Sequence, residues 1–390
     1  MPPLPGGPGR LLVVDDVEAN RDLLARRLRQ MGHGVETATN GREALERMRA
    51  EPFDLVLLDV MMPEMDGLEV LEVLRTEEAL RGIPVVMVSA VQEMESVVRC
   101  IELGATDYLP KPFNVVLLKA RVESSLEKKR LRDREQLHAR SLERELEIGR
   151  NIQTSFLPRA LPGLPGWEIA AALRPARQVG GDFYDAFLLP GGALALVLAD
   201  VCDKGVGAAL FMAVFRSLIR VTAERVAAGG ATAGEVLRET VIPINEYVTR
   251  THGDANMFAT TFAAVLDPGT GVMAWLNAGH EPPFLRRVGG ALSRLPPTGP
   301  AVGLLPAMAF GVREELMAHG DLLFAYSDGV TEARAPDGSH FGEERLLALV
   351  REGAPSGGPF LARIEDAVAA HAAGAEPSDD LSMLAVRRLS

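Results

Sequence analysis

The stretch LVLLDVMMPEMDG at residues 55–67 decides the fold of the first part of the chain. Four apolar residues run directly into Asp59, which is the pattern of a parallel strand buried on both faces. In an open parallel sheet the carboxyl ends of the strands meet at one edge, where ligands bind. The sequence therefore predicts that this strand delivers Asp59 to solvent at that edge.

Three other segments carry polar residues that we expect at the same edge. Asp15 and Asp16 follow the apolar run LLVV, Ser89 follows PVVMV, and Lys111 lies in YLPKPF. The three aspartates are hard oxygen ligands for Mg²⁺, and a lysine or a hydroxyl can bind a phosphoryl oxygen. Any one of these residues alone is as readily a solvated loop residue. All five in this order predict a site in which Asp59 is the nucleophile that becomes an acyl phosphate.

With these motifs, residues 9–126 resemble the receiver domain of bacterial response regulators. The alternation of short strands and amphipathic helices predicts the same α/β fold, a five-stranded doubly wound sheet of the flavodoxin type. The resemblance implies that a histidine kinase donates a phosphoryl group to Asp59. It implies that Ser89, Tyr108 and Lys111 are the switch residues. It also implies a cis peptide bond between Lys111 and Pro112.

Length and composition leave room for a second, larger domain. The chain has 390 residues, of which 47% are hydrophobic and 24% charged, so two globular domains are expected. A net charge of −12 argues against nonspecific nucleic-acid binding. The two cysteines suggest no disulfide framework, the N-terminal MPPLPGGPGR lacks the apolar core of a signal peptide, and we expect no membrane-spanning run. A cytoplasmic protein with no nucleic-acid or membrane partner is expected.

Residues 121–150 predict one long helix that continues the last receiver helix. The stretch is dense in Glu, Arg, Lys and Leu and has no Gly or Pro before Gly149. Its apolar residues recur every eleven positions, a period typical of a nearly straight or slightly right-handed supercoil. They form two series, Val115, Leu126, Leu137 and Ile148, and Ala120, Leu131 and Leu142. We favour a parallel coiled coil that makes the protein a dimer, and the alternative is a solvated single helix held by ion pairs.

The domain boundaries expected from this pattern are a receiver over residues 1–120, a helical linker over 121–158 and a second domain over 159–390. From residue 167 onward, strand-like runs are separated by Gly, Pro and Asp turns, as in the turn DPGTG at 267–271. Strands and helices fall in clumps, which favours an α+β domain with antiparallel pairing.

Four aspartate clusters carry the chemistry of this second domain. They are GGDFYD at 180–185, ADVCDKG at 199–205, SDGV at 327–330 and SDDLS at 378–382. Carboxylates with few His or Cys partners suit Mg²⁺ or Mn²⁺, and two such ions sharing a carboxylate can activate water against a phosphomonoester. One Asp-Gly pair alone is commonly a turn, but four clusters, three of which have an Asp at the end of or beside a strand-like run, favour a metal site.

Together with NAGHEPP at 277–283, these clusters make residues 146–389 resemble the metal-dependent PPM-type serine/threonine phosphatases, in the bacterial branch of SpoIIE and RsbU. The resemblance implies an antiparallel β-sandwich with two Mn²⁺ or Mg²⁺ ions. It implies a phosphorylated STAS-type anti-sigma-factor antagonist as substrate, and LEIGRNIQTSFLP at 146–158 resembles the linker that precedes this domain. The site roles implied are Asp200 bridging both ions, the Val201 carbonyl binding one, Asp328 and Asp379 completing the other site, Asp182 holding ion-bound water, and Arg177 contacting the substrate phosphate.

Several alternatives stay open at this point. Asp203 stands in DVCDKG where many relatives have DVSGKG, and we favour a helix cap near Ala208 over a role in tuning metal affinity. For His280 a structural hydrogen bond is favoured over acid catalysis. A catalytically silent phosphatase fold that acts as a phosphorylation-dependent adaptor is the alternative function. A nucleotide cyclase, suggested by GGDF at 180–183, is disfavoured because Phe183 replaces the second acidic residue.

Overall fold

A computed structural model describes residues 7–90, 94–353 and 356–389, without the side chains of residues 90, 94–97 and 255. The chain divides into two compact units, Met1–Leu142 and Glu143–Ser390.

The first unit contains a five-stranded parallel sheet in the order β2-β1-β3-β4-β5, which confirms the predicted doubly wound fold. Its strands are β1 (Arg10–Val14), β2 (Gly34–Ala38), β3 (Leu55–Asp59), β4 (Val85–Ala90) and β5 (Asp107–Lys111). Its helices are α1 (Glu18–Gln30), α2 (Gly41–Ala50), α3 (Gly67–Thr76), α4 (Met94–Glu102) and α5 (Val115–Phe156), the last of which continues into the second unit.

Side-chain alternation along the strands explains why helices cover both faces of this sheet. Leu12 and Leu58 pack with α2 and α3 on one face, whereas Leu11 and Leu57 pack with α1 and α5 on the other. A strand buried on both faces must be apolar throughout, which accounts for the unbroken runs LLVV and LVLL.

The motif that follows β3 also folds for local reasons. The Asp66 carboxylate accepts a hydrogen bond from the Glu69 backbone N–H, and the Glu69 carboxylate accepts one from the Asp66 backbone N–H, so the pair forms a capping box at the start of α3. A Cβ atom on Gly67 would lie 2.2 Å from the carbonyl oxygen of Asp59. Glycine is therefore required where α3 begins beside the end of β3.

The linker is a single helix, as predicted, because α5 runs without interruption for 42 residues. Its N-terminal part is anchored in the receiver core by Leu118, Val122 and Leu126. Beyond Leu126, large apolar side chains along α5 are about half exposed or more; they are Leu131, Leu137, Leu142, Ile148 and Ile152.

The second unit contains two five-stranded antiparallel sheets, in the orders β13-β10-β9-β8-β7 and β12-β11-β14-β15-β6. Its strands are β6 (Trp167–Arg174), β7 (Phe183–Leu188), β8 (Leu194–Val201), β9 (Ala259–Leu266), β10 (Val272–Ala278), β11 (Phe284–Arg286), β12 (Leu292–Arg294), β13 (Arg313–Leu316), β14 (Leu322–Tyr326) and β15 (Leu381–Arg388). Its helices are α6 (Val206–Ala228), α7 (Ala233–His252), α8 (Asp328–Thr331), α9 (Glu343–Glu352) and α10 (Gly357–Ala372), with a short 3-10 turn at Gly253–Ala255.

The two sheets pack face to face, which confirms the predicted α+β sandwich. Trp275 and Leu196 of the first sheet lie in one core with Leu323 and Leu384 of the second. The helices α6 and α7 cover the outer face of the first sheet, and α9 and α10 cover that of the second. The predicted hairpin is also present, since β9 and β10 pair across residues 267–271.

By length and composition α6 would qualify as a membrane span, with a mean hydropathy of 1.6 over its most apolar window. It is long and apolar because it packs on the sheet, where Met212, Phe215 and Ile219 lie in the core.

Candidate functional site

The receiver residues predicted at the sheet edge lie together. The Nζ atom of Lys111 is 2.9 Å from Oδ2 of Asp15 and 2.6 Å from Oδ2 of Asp59. Ligand oxygens of Asp15, Asp16 and Asp59 lie within 4.8 Å of one another. This group offers three carboxylates to a cation and one ammonium to an anion.

The environment of Asp59 differs from the sequence expectation in one respect. Its side chain is only 8% exposed, so the prediction that the strand delivers Asp59 to solvent was wrong. Burial raises the pKa of Asp59, and the hydrogen bond from Lys111 opposes that shift. Burial would lower the pKa of Lys111, but its hydrogen bonds to Asp59 and Asp15 raise it.

The other implied switch residues lie on β4, which pairs with β3, and on β5, which pairs with β4. Ser89 is a buried residue of β4, and Tyr108 is a half-buried residue of β5 whose side chain packs against the α2–α3 core. The peptide bond between Lys111 and Pro112 is cis, as the resemblance implies.

In the second unit, neighbouring strands deliver aspartates to one end of the sandwich. Asp182 precedes β7 and Asp200 lies near the end of β8, which pairs with β7. In the other sheet Asp328 follows β14, and Asp379 precedes the adjacent strand β15. Ser382 Oγ, on β15, donates a hydrogen bond of 2.6 Å to Asp182, which joins the two sheets at this point.

The carboxylates of Asp182 and Asp200 lie within hydrogen-bonding reach of each other. Burial raises the pKa of Asp182 well above its usual range, and the negative charge of Asp200 adds to the shift. Burial, together with the charges of Asp328 and Asp379, raises the pKa of Asp200 to about 7. Two carboxylates in such contact must share a proton or a cation.

Asp328 and Asp379 extend this group. Burial and the charge of Asp379 raise the pKa of Asp328 to about 6. Asp379 is partly exposed, and its Oδ2 atom is 2.8 Å from Nζ of Lys204. Lys204 thus already places one positive charge at the outer margin of the carboxylate group.

The backbone beside Asp200 approaches the same group. A Cβ atom on Gly181 would lie 2.7 Å from the Val201 carbonyl oxygen, so the segment before Asp182 passes directly over that oxygen. Only glycine permits this approach. The carbonyl of Val201 therefore lies against the backbone that leads to Asp182.

Asp380 is a site residue to which the sequence analysis assigned no role. Its buried carboxylate accepts hydrogen bonds from the backbone N–H groups of Ala176, Gly181 and Asp182, at 2.8, 2.7 and 3.3 Å. It therefore holds the segment that carries Asp182. The only signal in the sequence was the doubled aspartate in SDDLS, because the partners lie about 200 residues away.

Arg177 and Asp185, which lie near Asp182 in the sequence, do not contact the site aspartates among the described residues. Arg177 is exposed in the loop before Asp182, and no contact among the described residues joins it to the aspartates. Asp185, in the first cluster, is buried between Arg216 and Arg220 at 3.0 and 2.6 Å. Asp185 is therefore part of a separate ion-pair group.

The interpretation of Asp203 as a helix cap is wrong. Helix α6 begins at Val206 with Gly205 at its N-cap and no side-chain cap. Asp203 is exposed and has a φ angle of 74°, in the left-handed region that favours glycine. This backbone requirement explains why glycine suits the position in the DVSGKG pattern.

His280 has the surroundings of a structural residue. It is buried, its Nδ1 lies 2.9 Å from Oγ1 of Thr260, and its backbone exchanges two hydrogen bonds with the Asn277 side chain. Burial lowers the pKa of His280 to about 4, so the ring is neutral near pH 7. This geometry supports the structural interpretation.

The aspartates of the second unit suit hard divalent cations. Their donors are oxygen atoms, and the raised pKa values show that Asp182 and Asp200 lack enough compensating positive charge. Within the described ranges, the receiver holds the three-carboxylate group whose oxygens lie within 4.8 Å. Among the described residues, the aspartates of the second unit form no group of three that is equally close.

Comparisons with known proteins match both units. Residues 11–123 match the model of the response regulator receiver domain. Residues 190–389, just over half of the chain, match the model of the stage II sporulation protein E (SpoIIE) family.

Each of the relatives matches part of the chain. Protein IcfG of Synechocystis is 41% identical over 262 residues, which are 63% of this chain and 41% of that protein. Alkaline phosphatase synthesis transcriptional regulatory protein PhoP of Bacillus subtilis is 42% identical over 117 residues, 30% of this chain and 48% of that protein. The chain thus spans less than half the length of these two relatives.

A solved structure supports the fold of the second unit. The SiaA-PP2C domain of Pseudomonas aeruginosa superposes with a TM-score of 0.55 at 20% identity. The match covers 64% of this chain and 98% of that domain.

Proposed function

Because this chain belongs to the SpoIIE family and carries a response regulator receiver domain ahead of its phosphatase-type domain, we propose that phosphorylation of Asp59 controls a metal-dependent serine/threonine protein phosphatase. The phosphatase activity in this proposal is supported by one observation, which is the convergence of Asp182, Asp200 and Asp328 from both sheets. Buried carboxylates that repel one another are costly unless a cation binds there.

In this proposal the phosphatase domain holds two Mn²⁺ or Mg²⁺ ions, with Asp200 between them. Asp182, Asp328, Asp379 and the Val201 carbonyl complete the ligand set. When bound, such ions supply an activated water and neutralise charge on the phosphoryl group. Ser382 orients Asp182, and Asp380 fixes the backbone on which Asp182 stands. The exposed Arg177 remains a candidate contact for the substrate phosphate.

In the receiver we propose that Asp15, Asp16 and Asp59 bind Mg²⁺ and that Asp59 is the phosphoacceptor. Lys111 already contacts Oδ2 of Asp59, so it is placed to pair with an oxygen of the acyl phosphate. Ser89 and Tyr108 are the proposed switch pair. A histidine kinase is the proposed phosphodonor.

The proposed substrate is a phosphoserine or phosphothreonine on a STAS-type anti-sigma-factor antagonist. Its dephosphorylation would release a sigma factor. This identification rests on the family resemblance, and with it we place the protein in the cytoplasm, away from nucleic acid and membranes. The net charge of −12 accords with that placement.

We propose that the protein is a dimer through α5. Leu131, Leu137 and Ile148 leave between 53% and 66% of their surface exposed although each belongs to the eleven-residue pattern. A second copy of the same helix would cover these side chains in a parallel coiled coil. Phosphorylation would then shift the packing of the helix pair, which needs a bias of only about 5 kcal/mol to move most of the population.

The test of the function is hydrolysis of p-nitrophenyl phosphate by the full chain, with Mn²⁺ or a chelator and with or without a small phosphodonor. We expect turnover that requires the metal and changes with phosphodonor in the parent, and does not change in Asp59→Ala. Mn²⁺ binding without hydrolysis, of this compound or of a phosphorylated STAS-domain substrate, would favour the silent adaptor instead.

The coupling route is tested by insertions near Gln136. Four extra helical residues rotate the downstream helix by roughly 40° and add about 6 Å, whereas eleven extra residues preserve the apolar pattern. We expect the first insertion to abolish the response to phosphodonor while keeping metal-dependent turnover, and the second to retain the response. An equal response in both variants would mean that α5 is a passive tether.

A further inference from the structure

The last turns of α5 touch the backbone that leads to Asp182. Gln153, within α5, is buried, and its Nε2 donates a hydrogen bond to the carbonyl oxygen of Gly180. Its Oε1 accepts a hydrogen bond from the Gly180 N–H at 3.2 Å. One side-chain amide thus satisfies both polar groups of a buried residue two positions before Asp182.

The opposite side of this backbone is held just as closely. A Cβ atom on Gly180 would lie 2.0 Å from Oδ2 of Asp380, and that carboxylate accepts from the next two N–H groups. Gly180 therefore lies between Gln153 and Asp380, with no room for a side chain. A displacement of Gln153 must either move this backbone or leave two buried polar groups unpaired.

We propose that Gln153 is a positioning residue through which α5 sets the place of Asp182, and so the affinity of the phosphatase site for divalent cations. This inference rests on the proposed function and names the contact by which the helix reaches the site. Asp380 directly precedes strand β15 of the phosphatase domain, whereas Gln153 belongs to the helix that begins in the receiver. Of these two supports of the segment, Gln153 is therefore the one that a shift of α5 would move.

The test compares Gln153→Ala with Gln136→Ala, which removes an exposed glutamine from the same helix. Two quantities are measured on full-length protein: amide hydrogen exchange resolved at residues 180–182, and the Kd for Mn²⁺ by titration calorimetry. For Gln153→Ala we expect exchange at Gly180 to be at least about tenfold faster and Mn²⁺ binding about 10- to 100-fold weaker. Gln136→Ala should match the parent in both.

Gln153→Glu separates positioning from simple packing. It keeps the size of the side chain and the acceptor for the Gly180 N–H but cannot donate to the Gly180 carbonyl. For Gln153→Glu we expect an exchange rate at Gly180 and a Kd for Mn²⁺ between those of the parent and those of Gln153→Ala. The melting temperature of the receiver unit should be unchanged in all variants.

If the amide exchange rate at Gly180 and the Kd for Mn²⁺ of Gln153→Ala both lie within about twofold of the parent values, the inference is overturned. Faster exchange with unchanged Mn²⁺ affinity would also overturn it, because the backbone would then move without consequence for the site. Failure of the proposed function has a different signature, since the parent would then bind Mn²⁺ without hydrolysing phosphomonoesters.

Discussion

The two acidic sites of this protein differ in how their charge is balanced. In the receiver, the ammonium of Lys111 lies within 3 Å of both Asp15 and Asp59. In the phosphatase domain, Asp182 and Asp200 contact each other, and the charged groups that shift the pKa of Asp200 are other aspartates. The first site therefore contains its own compensating cation, whereas in the proposed function bound divalent cations would offset the repulsion in the second.

The sites also differ in how the fold assembles them. The receiver residues follow the ends of parallel strands in one sheet, so their convergence is a property of that sheet. The phosphatase aspartates come from two sheets, and Gln153 of α5 supports the segment that carries Asp182. The second site thus has more independent supports, and a change in any of them can alter it.

The largest expected effect is the loss of catalysis in Asp200→Asn. The change removes a negative charge from between two proposed cations, so turnover with Mn²⁺ should fall by at least about a hundredfold. Since it also removes a repelling charge, the melting temperature in chelator should stay equal or rise. Calorimetry measures the melting temperature, and hydrolysis of p-nitrophenyl phosphate measures the turnover.

A control for Asp200→Asn lies two residues away. Cys202→Ser should be nearly silent, because its sulfur only bonds to backbone groups of Asn256 and Phe258, which a hydroxyl can also do. Near-parental turnover in Asp200→Asn would contradict the metal assignment.

Lys111→Ala should give the receiver the charge imbalance of the phosphatase site. Removing the ammonium leaves Asp15 and Asp59 close together without their shared cationic partner, and we expect a loss of about 1–3 kcal/mol in the free energy of unfolding of the receiver. Mg²⁺ should restore part of it. Chemical denaturation with and without Mg²⁺ measures this, with the exposed Lys119→Ala as control.

The same variant separates phosphorylation from output. Phosphodonor should still label Asp59 in Lys111→Ala, but turnover of the phosphatase domain should no longer respond. In Asp59→Ala labelling should disappear, and persistent labelling would point to a different acceptor.

The pH dependence of stability should differ with and without cations. Asp200 and Asp328 have folded-state pKa values of about 7 and about 6, above their ordinary value of 3.8. Between roughly pH 4 and 7 the folded domain therefore binds more protons than the unfolded chain, so its stability falls as the pH rises. In chelator we expect the melting temperature to drop by about 2–5 °C from pH 5 to 7.5.

Mn²⁺ should reverse that trend, because deprotonation improves the ligands. Asp200→Asn should flatten the profile measured in chelator. A melting temperature that rises with pH in chelator would show that the aspartates are already compensated in the absence of ions.

The smallest expected effect is that of Asp203→Gly. Asp203 has a positive φ angle, so glycine should relieve strain and stabilise the domain by about 0.5 kcal/mol. The exposed carboxylate is not expected to change the Kd for Mn²⁺ by more than about twofold. A larger change in this Kd would indicate that the Asp203 carboxylate also contributes to the negative charge of the site.

Local patterns in the sequence determined most of the secondary structure and the fold class. Unbroken apolar runs predicted β1, β3 and β4, and helical composition predicted α5, because these patterns depend on neighbours within a few residues. The aspartates of the four clusters were recognisable for the same reason, since each adjoins a strand. The doubled Asp379-Asp380 was visible, but nothing local distinguishes a cation ligand from a residue that holds backbone.

Tertiary structure alone decided which of these groups touch. The contact of Lys111 with Asp15 spans 96 residues, that of Ser382 with Asp182 spans 200, and that of Gln153 with Gly180 joins a helix to a loop. Such contacts depend on how sheets and helices pack, which periodicity along the chain does not encode. Burial, and with it the raised pKa of Asp200, follows from the same packing, because the solvent that would otherwise stabilise the charge is excluded only once both sheets are in place.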